Sequence, residues 1–119
     1  MIDHVTLRVR DAKKSRAFFE KALKPLGYEV VMEYEDFVGL GEGGKPDFWI
    51  APGKQEPVHL AFRAPSRKAV DEFHKAALAA GAKDNGKPGP RKDYHPNYYG
   101  AFVIDPDGHN IEAVTHKPE

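Results

Sequence analysis

Residues 2–9 read IDHVTLRV, and this stretch decides the fold because its pattern returns 55 residues later as VHLAFRA at residues 58–64. Polar and apolar side chains alternate in both stretches, which predicts a β-strand with one face turned to the core. The shift aligns His4 with His59. Self-similarity at a fixed period indicates two copies of one structural unit.

A helix is predicted after each repeated strand. Asp11 and Ser66 stand where a side-chain oxygen can accept the free amide hydrogens of a first helical turn. Apolar residues then recur at helical spacing, and the same shift aligns Phe18 with Phe73 in the expected core. Each helix is predicted to end at a glycine.

Short apolar stretches complete the two units. Strands are predicted at residues 28–35, 36–41, 46–51, 99–104 and 110–115, and residues 84–97 are predicted to form a long loop around a weak strand. We therefore predict an α+β fold: two βαβββ modules that form a curved, partly closed mixed sheet around a central cavity. The expected boundaries within one domain, 1–119, are module one 1–53, linker 54–57 and module two 58–119. Half of this chain cannot bury its own sheet face, so the modules must pack together, within one chain or across a dimer.

Composition excludes several classes of function. The chain has 18 Lys and Arg against 18 Asp and Glu, so the basic excess that nucleic acids or anionic membranes require is missing. It has no cysteine, which excludes disulfides, a thiolate nucleophile and a cysteine-ligated zinc site. No stretch approaches the length of a membrane helix, and we expect a cytoplasmic protein that binds neither nucleic acid nor membrane.

The repeated histidines indicate a metal site. His4 and His59 lie opposite the apolar faces of their strands, where a shared concavity would let two neutral imidazoles bind a divalent metal. Glu112 stands between the apolar Ile111 and Ala113, so it is predicted to face the same concavity, where a metal would compensate its charge. This set leaves coordination positions open for substrate or water, which favours Fe(II) or another divalent ion. The alternative is that the histidines are structural and Glu112 is solvated, but core symmetry does not require an imidazole at both positions.

Other residues are weaker candidates for a substrate pocket. Arg8 and Arg63 share faces with the histidines and could bind an anionic substrate, or could lie past the pocket rim. A polar aromatic cluster either lines the pocket entrance or belongs to an ordinary loop and edge strand; its members are Tyr94, His95, Tyr98 and Tyr99. His74, on a helix, and His109, in a turn, are predicted to face solvent.

Three stretches resemble the vicinal oxygen chelate superfamily, which includes glyoxalase I, extradiol dioxygenases, fosfomycin-resistance enzymes and bleomycin-binding proteins. They are IDHV at residues 2–5, PVHL at 57–60 and YGAFVIDPDGHNIE at 99–112. The resemblance implies paired βαβββ modules around a metal, a small substrate held through two adjacent oxygens, and a homodimer. It also implies that His4 and His59 are first-strand ligands and that Glu112 is the last-strand carboxylate, which in glyoxalase I also acts as the base.

At the family's fourth ligand position, this chain departs from glyoxalase I. If Phe48 and Ile50 face the helix, this position falls on Trp49, whose indole cannot ligate a metal. Asp47 is the nearest carboxylate in an alignment shifted by one residue. The remaining His-His-Glu set resembles the three-ligand dioxygenases and fosfomycin-modifying enzymes instead.

Three functions follow from these expectations. The leading one is a glyoxalase- or dioxygenase-like enzyme that uses one divalent metal (Fe, Mn, Ni, Co or Zn), with Glu112 as ligand and possible base. The alternative is a non-catalytic protein of the bleomycin-resistance type, in which Trp49 stacks on a drug or metabolite. The third is an enzyme fold without activity, in which His59→Ala would leave any ligand binding intact.

Overall fold

The computed structural model describes residues 1–54 and 56–118, which form two similar units. The first unit contains, in order, β1 (Val5–Val9), α1 (Ala12–Leu23), a single 3-10 turn (Lys24–Leu26), β2 (Glu29–Tyr34), β3 (Phe37–Glu42) and β4 (Lys45–Pro52). The second contains β5 (His59–Arg63), α2 (Arg67–Ala79), β6 (Lys83–Pro90), β7 (Tyr99–Ile104) and β8 (Asn110–Thr115).

Each unit forms a four-stranded mixed sheet within the described residues. The strand orders are β1-β4-β3-β2 and β5-β8-β7-β6, so the two sheets repeat one topology. In each sheet the first strand pairs in parallel with the last, and the other pairs are antiparallel. The sheets do not close into a barrel. The predicted α+β fold of two βαβββ units is confirmed.

Both helices begin where the sequence predicts. The Asp11 carboxylate accepts a hydrogen bond from the Lys14 amide at 3.1 Å, and the Ser66 hydroxyl accepts one from the Ala69 amide at 3.1 Å. Each side chain satisfies a backbone donor that has no partner within its own helix.

The helix-bearing sides of the two sheets share one core. Leu7 pairs with Ile50 across β1 and β4, and both residues are buried, as are Val9 and Phe48 on the same faces. The rings of Phe48 and Phe62 meet edge to face with centroids 5.1 Å apart, which joins the two units. Because successive residues of a strand point to opposite faces, the faces that carry the repeated histidines lie on the outside of this shared core.

Hydrogen bonds from the turn between β7 and β8 link the second unit to the end of β1. Asp107 Oδ1 accepts hydrogen bonds from the backbone amide of Arg10 at 3.0 Å and from its Nε at 3.1 Å. His109, in the same turn, is 1 % exposed, and His74 on α2 is 8 % exposed. The prediction that both histidines face solvent is therefore wrong, because each ring has a hydrogen-bond partner inside the fold: Arg8 and Val58 for His109, and Asp84 for His74.

Strand β6 is longer than the weak strand predicted within residues 84–97. It runs from Lys83 to Pro90 at the edge of its sheet, where proline is tolerated because one side of the strand needs no ladder hydrogen bonds. In the described part of the chain, no helix has the length and apolar character needed to cross a membrane.

Candidate metal centre

His59 and Glu112 meet on the outer face of the second sheet. His59 Nε2 lies 2.8 Å from Glu112 Oε1. Glu112 pairs across the sheet with Ala61 and Phe102, which places it on the face opposite the half-buried Leu60 and the helix. Glu112 is only 1 % exposed, whereas about half of the His59 side chain is accessible, at 53 %. A buried carboxylate beside an accessible imidazole can bind a cation from solvent.

Tyr98 completes the surroundings of the carboxylate. Its hydroxyl donates a hydrogen bond to Glu112 Oε2, so the two oxygens of Glu112 have different partners. Burial, together with this bond to the carboxylate, raises the pKa of Tyr98 well above its ordinary value of 10.0 and keeps the phenol protonated. Gly100 makes room for this contact, since a Cβ there would lie 3.2 Å from Tyr98 Cε1 and 3.4 Å from Glu112 Oε2.

Two further residues border the site. The ring of Phe102 lies beside that of His59, with centroids 6.1 Å apart, and the Arg91 guanidinium lies 5.5 Å from the Phe102 centroid. Arg91 is held by the carbonyl oxygens of Lys87 and Gly89 at 2.8 and 2.9 Å. Sequence reasoning missed both residues. Alternation along β7 could have placed Phe102 on the outer face, but no local signal places Arg91.

His4 lies away from this pair within one chain. It stands just before β1, and its Nδ1 lies 2.8 Å from Asp3 Oδ1 with 53 % of its side chain exposed. Continued alternation places it on the outer face of the first sheet with Thr6 and Arg8. Across residues 1–54 and 56–118, no group of three His, Asp or Glu side chains that could hold a metal forms within the chain.

Trp49 also lies on the outer face of the first sheet. It pairs with Thr6 and Gly39. Its indole covers Gly39, where a Cβ would lie only 2.9 Å from Trp49 Cη2, so glycine allows the ring to lie against the strand. Asp47 is engaged elsewhere: the Tyr28 hydroxyl donates one hydrogen bond that its two carboxylate oxygens share, at 2.7 and 2.9 Å.

The two arginines occupy different settings. Arg8 is exposed and donates from Nη1 to the carbonyl oxygen of Pro52 at 3.2 Å. Arg63 lines an open cleft of about 860 Å³ between the starts of β1 and β4 and the end of β5. Neither contacts the His59–Glu112 pair in one chain.

The polar aromatic cluster divides between two faces. Tyr94 packs edge to face on Tyr98, and His95 packs on His116, each with centroids 5.1 Å apart, so these rings lie beside the carboxylate site. Tyr99 instead points to the helix side, where its hydroxyl donates to Asp71 at 2.7 Å and its ring lies 4.9 Å from the Arg67 guanidinium carbon. Adjacent residues at a strand start point to opposite faces, so Tyr99 cannot join Tyr98.

Comparisons with known proteins agree with this architecture. The family model described as Glyoxalase/Bleomycin resistance protein/Dioxygenase superfamily matches residues 1–113. The uncharacterized protein YqjT of Bacillus subtilis is 30 % identical, with 94 % of this chain and 96 % of that protein covered. The crystal structure of a glyoxalase/bleomycin resistance protein from Albidiferax ferrireducens aligns with a TM-score of 0.84 and 27 % identity over 95 % of this chain and 97 % of that one.

A third neighbour is a mutant of the fosfomycin resistance protein FosX from Listeria monocytogenes, whose structure contains Mn(II) and a dihydroxypropylphosphonic acid. It aligns with a TM-score of 0.71 and 24 % identity, over 95 % of this chain and 87 % of that one. At this level of identity, the comparison shows a shared fold alone.

Proposed function

Since this chain belongs to the Glyoxalase/Bleomycin resistance protein/Dioxygenase superfamily, we propose that it is a divalent-metal-dependent enzyme acting on a small substrate bound through two adjacent oxygens. The observation that carries the proposal is the contact of a fully buried carboxylate, Glu112, with an accessible imidazole, His59, at 2.8 Å.

The chemistry of these two side chains suits a metal. Imidazole nitrogen and carboxylate oxygen are ligands for Fe, Mn, Ni, Co and Zn. Burying the negative charge of Glu112 is costly unless a cation or hydrogen-bond donors compensate it, and the Tyr98 hydroxyl serves only one of its two oxygens. The Mn(II) in the FosX structure supports a divalent metal in a relative of this fold.

A second copy of the chain would supply the third ligand, His4. His4 and His59 occupy repeated positions at the start of the first strand of each unit, yet both lie on outer faces in one chain. A two-fold dimer that packs the first sheet of one copy on the second sheet of the other would bring His4 toward His59 and Glu112. A two-fold axis makes this contact twice, so a homodimer would hold two equal sites.

The remaining residues would shape a substrate pocket. A divalent ion held by His59 and Glu112 would act as a Lewis acid and would stabilise negative charge that develops on the substrate oxygens. Glu112 Oε1 would serve as metal ligand and as acceptor of a substrate proton at different stages of the reaction, because the Tyr98 hydroxyl keeps Oε2 hydrogen bonded. The rings of Phe102 and Trp49 would provide apolar walls that exclude water, and Arg8 and Arg63 would face an anionic substituent from the outer faces.

Metal content tests the proposal. Elemental mass spectrometry on wild-type protein should find about one equivalent of one divalent metal per chain, and Glu112→Ala should lose it. Glu72→Gln, which removes an exposed carboxylate from α2, is the matched control and should keep the metal. Absence of metal from wild-type protein, even after reconstitution with Fe, Mn, Ni, Co or Zn, would refute the proposal.

A second candidate is non-catalytic binding of a drug or metabolite. The half-buried indole of Trp49, which lies against Gly39 on an outer face, favours it because a planar ligand can stack there. Trp49 is the one tryptophan in the chain, so its fluorescence reports on this face alone. Saturable quenching by a ligand that persists with a chelator present would support this function over the metal-dependent one.

A further inference from the structure

His109 bonds to two segments that are distant from it in the sequence. Its ring is 1 % exposed. Nδ1 accepts a hydrogen bond from the backbone amide of Val58 at 3.1 Å, and Nε2 lies 3.2 Å from the backbone carbonyl oxygen of Arg8. An amide can only donate and a carbonyl can only accept, so the ring must be neutral with its proton on Nε2.

These two bonds reach the strands that carry the candidate ligands. Val58 immediately precedes His59, and its carbonyl oxygen also accepts a hydrogen bond from the Asn110 amide at 2.9 Å. Arg8 lies on β1, the strand that His4 precedes. His109 itself stands three residues before Glu112 on the way into β8. One imidazole thus touches the backbone of both histidine-bearing segments at the start of the carboxylate-bearing strand.

The turn does not need the imidazole for its own shape. Asp105 Oδ1 accepts hydrogen bonds from the amides of Asp107 and His109 at 2.9 and 2.8 Å, which closes the turn. Arg10 and Asp107 separately tie the turn to β1. What the imidazole adds is the direct bond to Val58, beside the metal-ligand candidate.

We infer that His109 is a positioning residue for the metal site: through Val58 it holds the start of β5 in the place that brings His59 Nε2 to 2.8 Å from Glu112. This inference rests on the proposed function for its effect on metal affinity. The effect of His109 on the backbone of Val58 and His59 is expected whether or not the protein binds a metal.

Two substitutions separate the two hydrogen bonds of the ring. His109→Asn places an amide oxygen near the position of Nδ1, so it can still accept from Val58. His109→Gln places its amide near the position of Nε2, so it can still donate to Arg8 but loses the bond to Val58. Each variant loses one hydrogen bond to the backbone, and both are expected to unfold at a lower temperature than wild type.

The affinity for Mn(II), measured by titration calorimetry, distinguishes positioning from a purely structural role. His109→Gln should weaken Mn(II) binding on the order of 10-fold, as losing a residue that orients a metal ligand does, while His109→Asn stays close to wild type. His74→Gln removes another buried imidazole of the same unit, bonded to Asp84, and should reduce stability without changing Mn(II) affinity. Equal affinities for both His109 variants, or an equal loss in the His74 control, would overturn the inference.

Nuclear magnetic resonance of metal-free protein keeps the test independent of metal binding. Wild-type His109 should show the neutral form protonated at Nε2 near neutral pH; a ring protonated at Nδ1 or at both nitrogens would overturn the inference. The amide signals of Val58 and His59 should shift more in His109→Gln than in His109→Asn. If wild-type protein binds no metal while these signals behave as expected, the proposed enzyme function fails and the positioning of β5 stands.

Discussion

At the scale of single residues, the burial of Glu112 shapes the chemistry of the second sheet. A charged group that is 1 % exposed destabilises a fold unless donors or cations surround it. Tyr98 provides a hydroxyl donor to Oε2, and His59 lies against Oε1. In the proposed metal site, Oε1 would therefore face the metal, because the half-exposed His59 side chain lies beside it while the phenol covers the other oxygen.

Removing the Tyr98 hydroxyl tests whether it orients the Glu112 carboxylate for metal binding. Tyr98→Phe keeps the ring but deletes the donor to Glu112 Oε2, so the carboxylate loses its orientation and metal affinity should fall on the order of 10-fold. Calorimetric titration with Mn(II) measures the effect. Tyr94→Phe is the matched control, since Tyr94 only packs its ring on Tyr98, and it should leave the affinity unchanged. Unchanged affinity in Tyr98→Phe would mean that the phenol is no part of the site.

Some residue environments can be predicted from the sequence because they depend only on neighbours in the chain. The direction of Glu112 follows from the apolar residues on either side of it, and the direction of His59 follows in the same way from Val58 and Leu60. The burial of His109 cannot be predicted so, because its partners Arg8 and Val58 are 101 and 51 residues away. Arg91 escapes prediction for another reason: the carbonyl oxygens that hold it over Phe102 are only two and four residues away, but their direction depends on the path of the edge strand β6.

At the scale of elements, the helix-capping residues predicted structure correctly, whereas the glycines and prolines of β6 did not. The caps Asp11 and Ser66 act within one helical turn, so the sequence predicts both helix starts correctly. Strand β6 has two glycines and two prolines among its eight residues, which favours a loop on local propensity. Contacts outside the strand override that preference: β6 pairs with β7, and the Asp84 carboxylate binds the buried His74 of α2 at 2.9 Å.

The Asp84 carboxylate should make the attachment of β6 depend on pH. Its hydrogen bond with His74, then that from the Gly86 amide, lowers the pKa of Asp84 below the ordinary 3.8. The native state therefore holds this proton less tightly than the unfolded state. The resulting stability is present above pH 3.8 and is lost as the pH falls through the native pKa.

Urea unfolding of Asp84→Asn measures this contribution. The variant should be less stable than wild type at neutral pH, and the difference should shrink as the pH is lowered toward about 3. Asp93→Asn removes an exposed carboxylate from the loop after β6 and should show no such change of difference with pH. A difference for Asp84→Asn that is constant across the range would assign its effect to packing rather than to charge.

At the scale of the whole molecule, the repeat predicts the number of units and their topology but not the faces that meet. Both sheets have an apolar face under a helix and a mixed face with a histidine, and packing either pair of faces would bury surface. Within the chain the apolar faces meet, through Phe48 and Phe62 among others, because they offer the larger hydrophobic area. The mixed faces remain outside, and in the proposed site a second copy would bring His4 to His59 and Glu112.

If each site is shared between two copies, a dimer that combines two different variants can recover metal binding that neither variant has alone. His4→Ala and Glu112→Ala should each fail to bind metal alone, because every site in either homodimer lacks a ligand. Co-refolded in equal amounts, they should recover about one quarter of the wild-type metal per chain, because half the dimers are mixed and each mixed dimer has one complete site.

A mixture of His59→Ala with Glu112→Ala is the matched control. Both changes lie on the same sheet, so every site of a mixed dimer lacks one ligand and no metal should return. Recovery in neither mixture, with each variant folded and dimeric, would contradict a site shared between copies, and metal retained by His4→Ala alone would remove His4 from the ligand set.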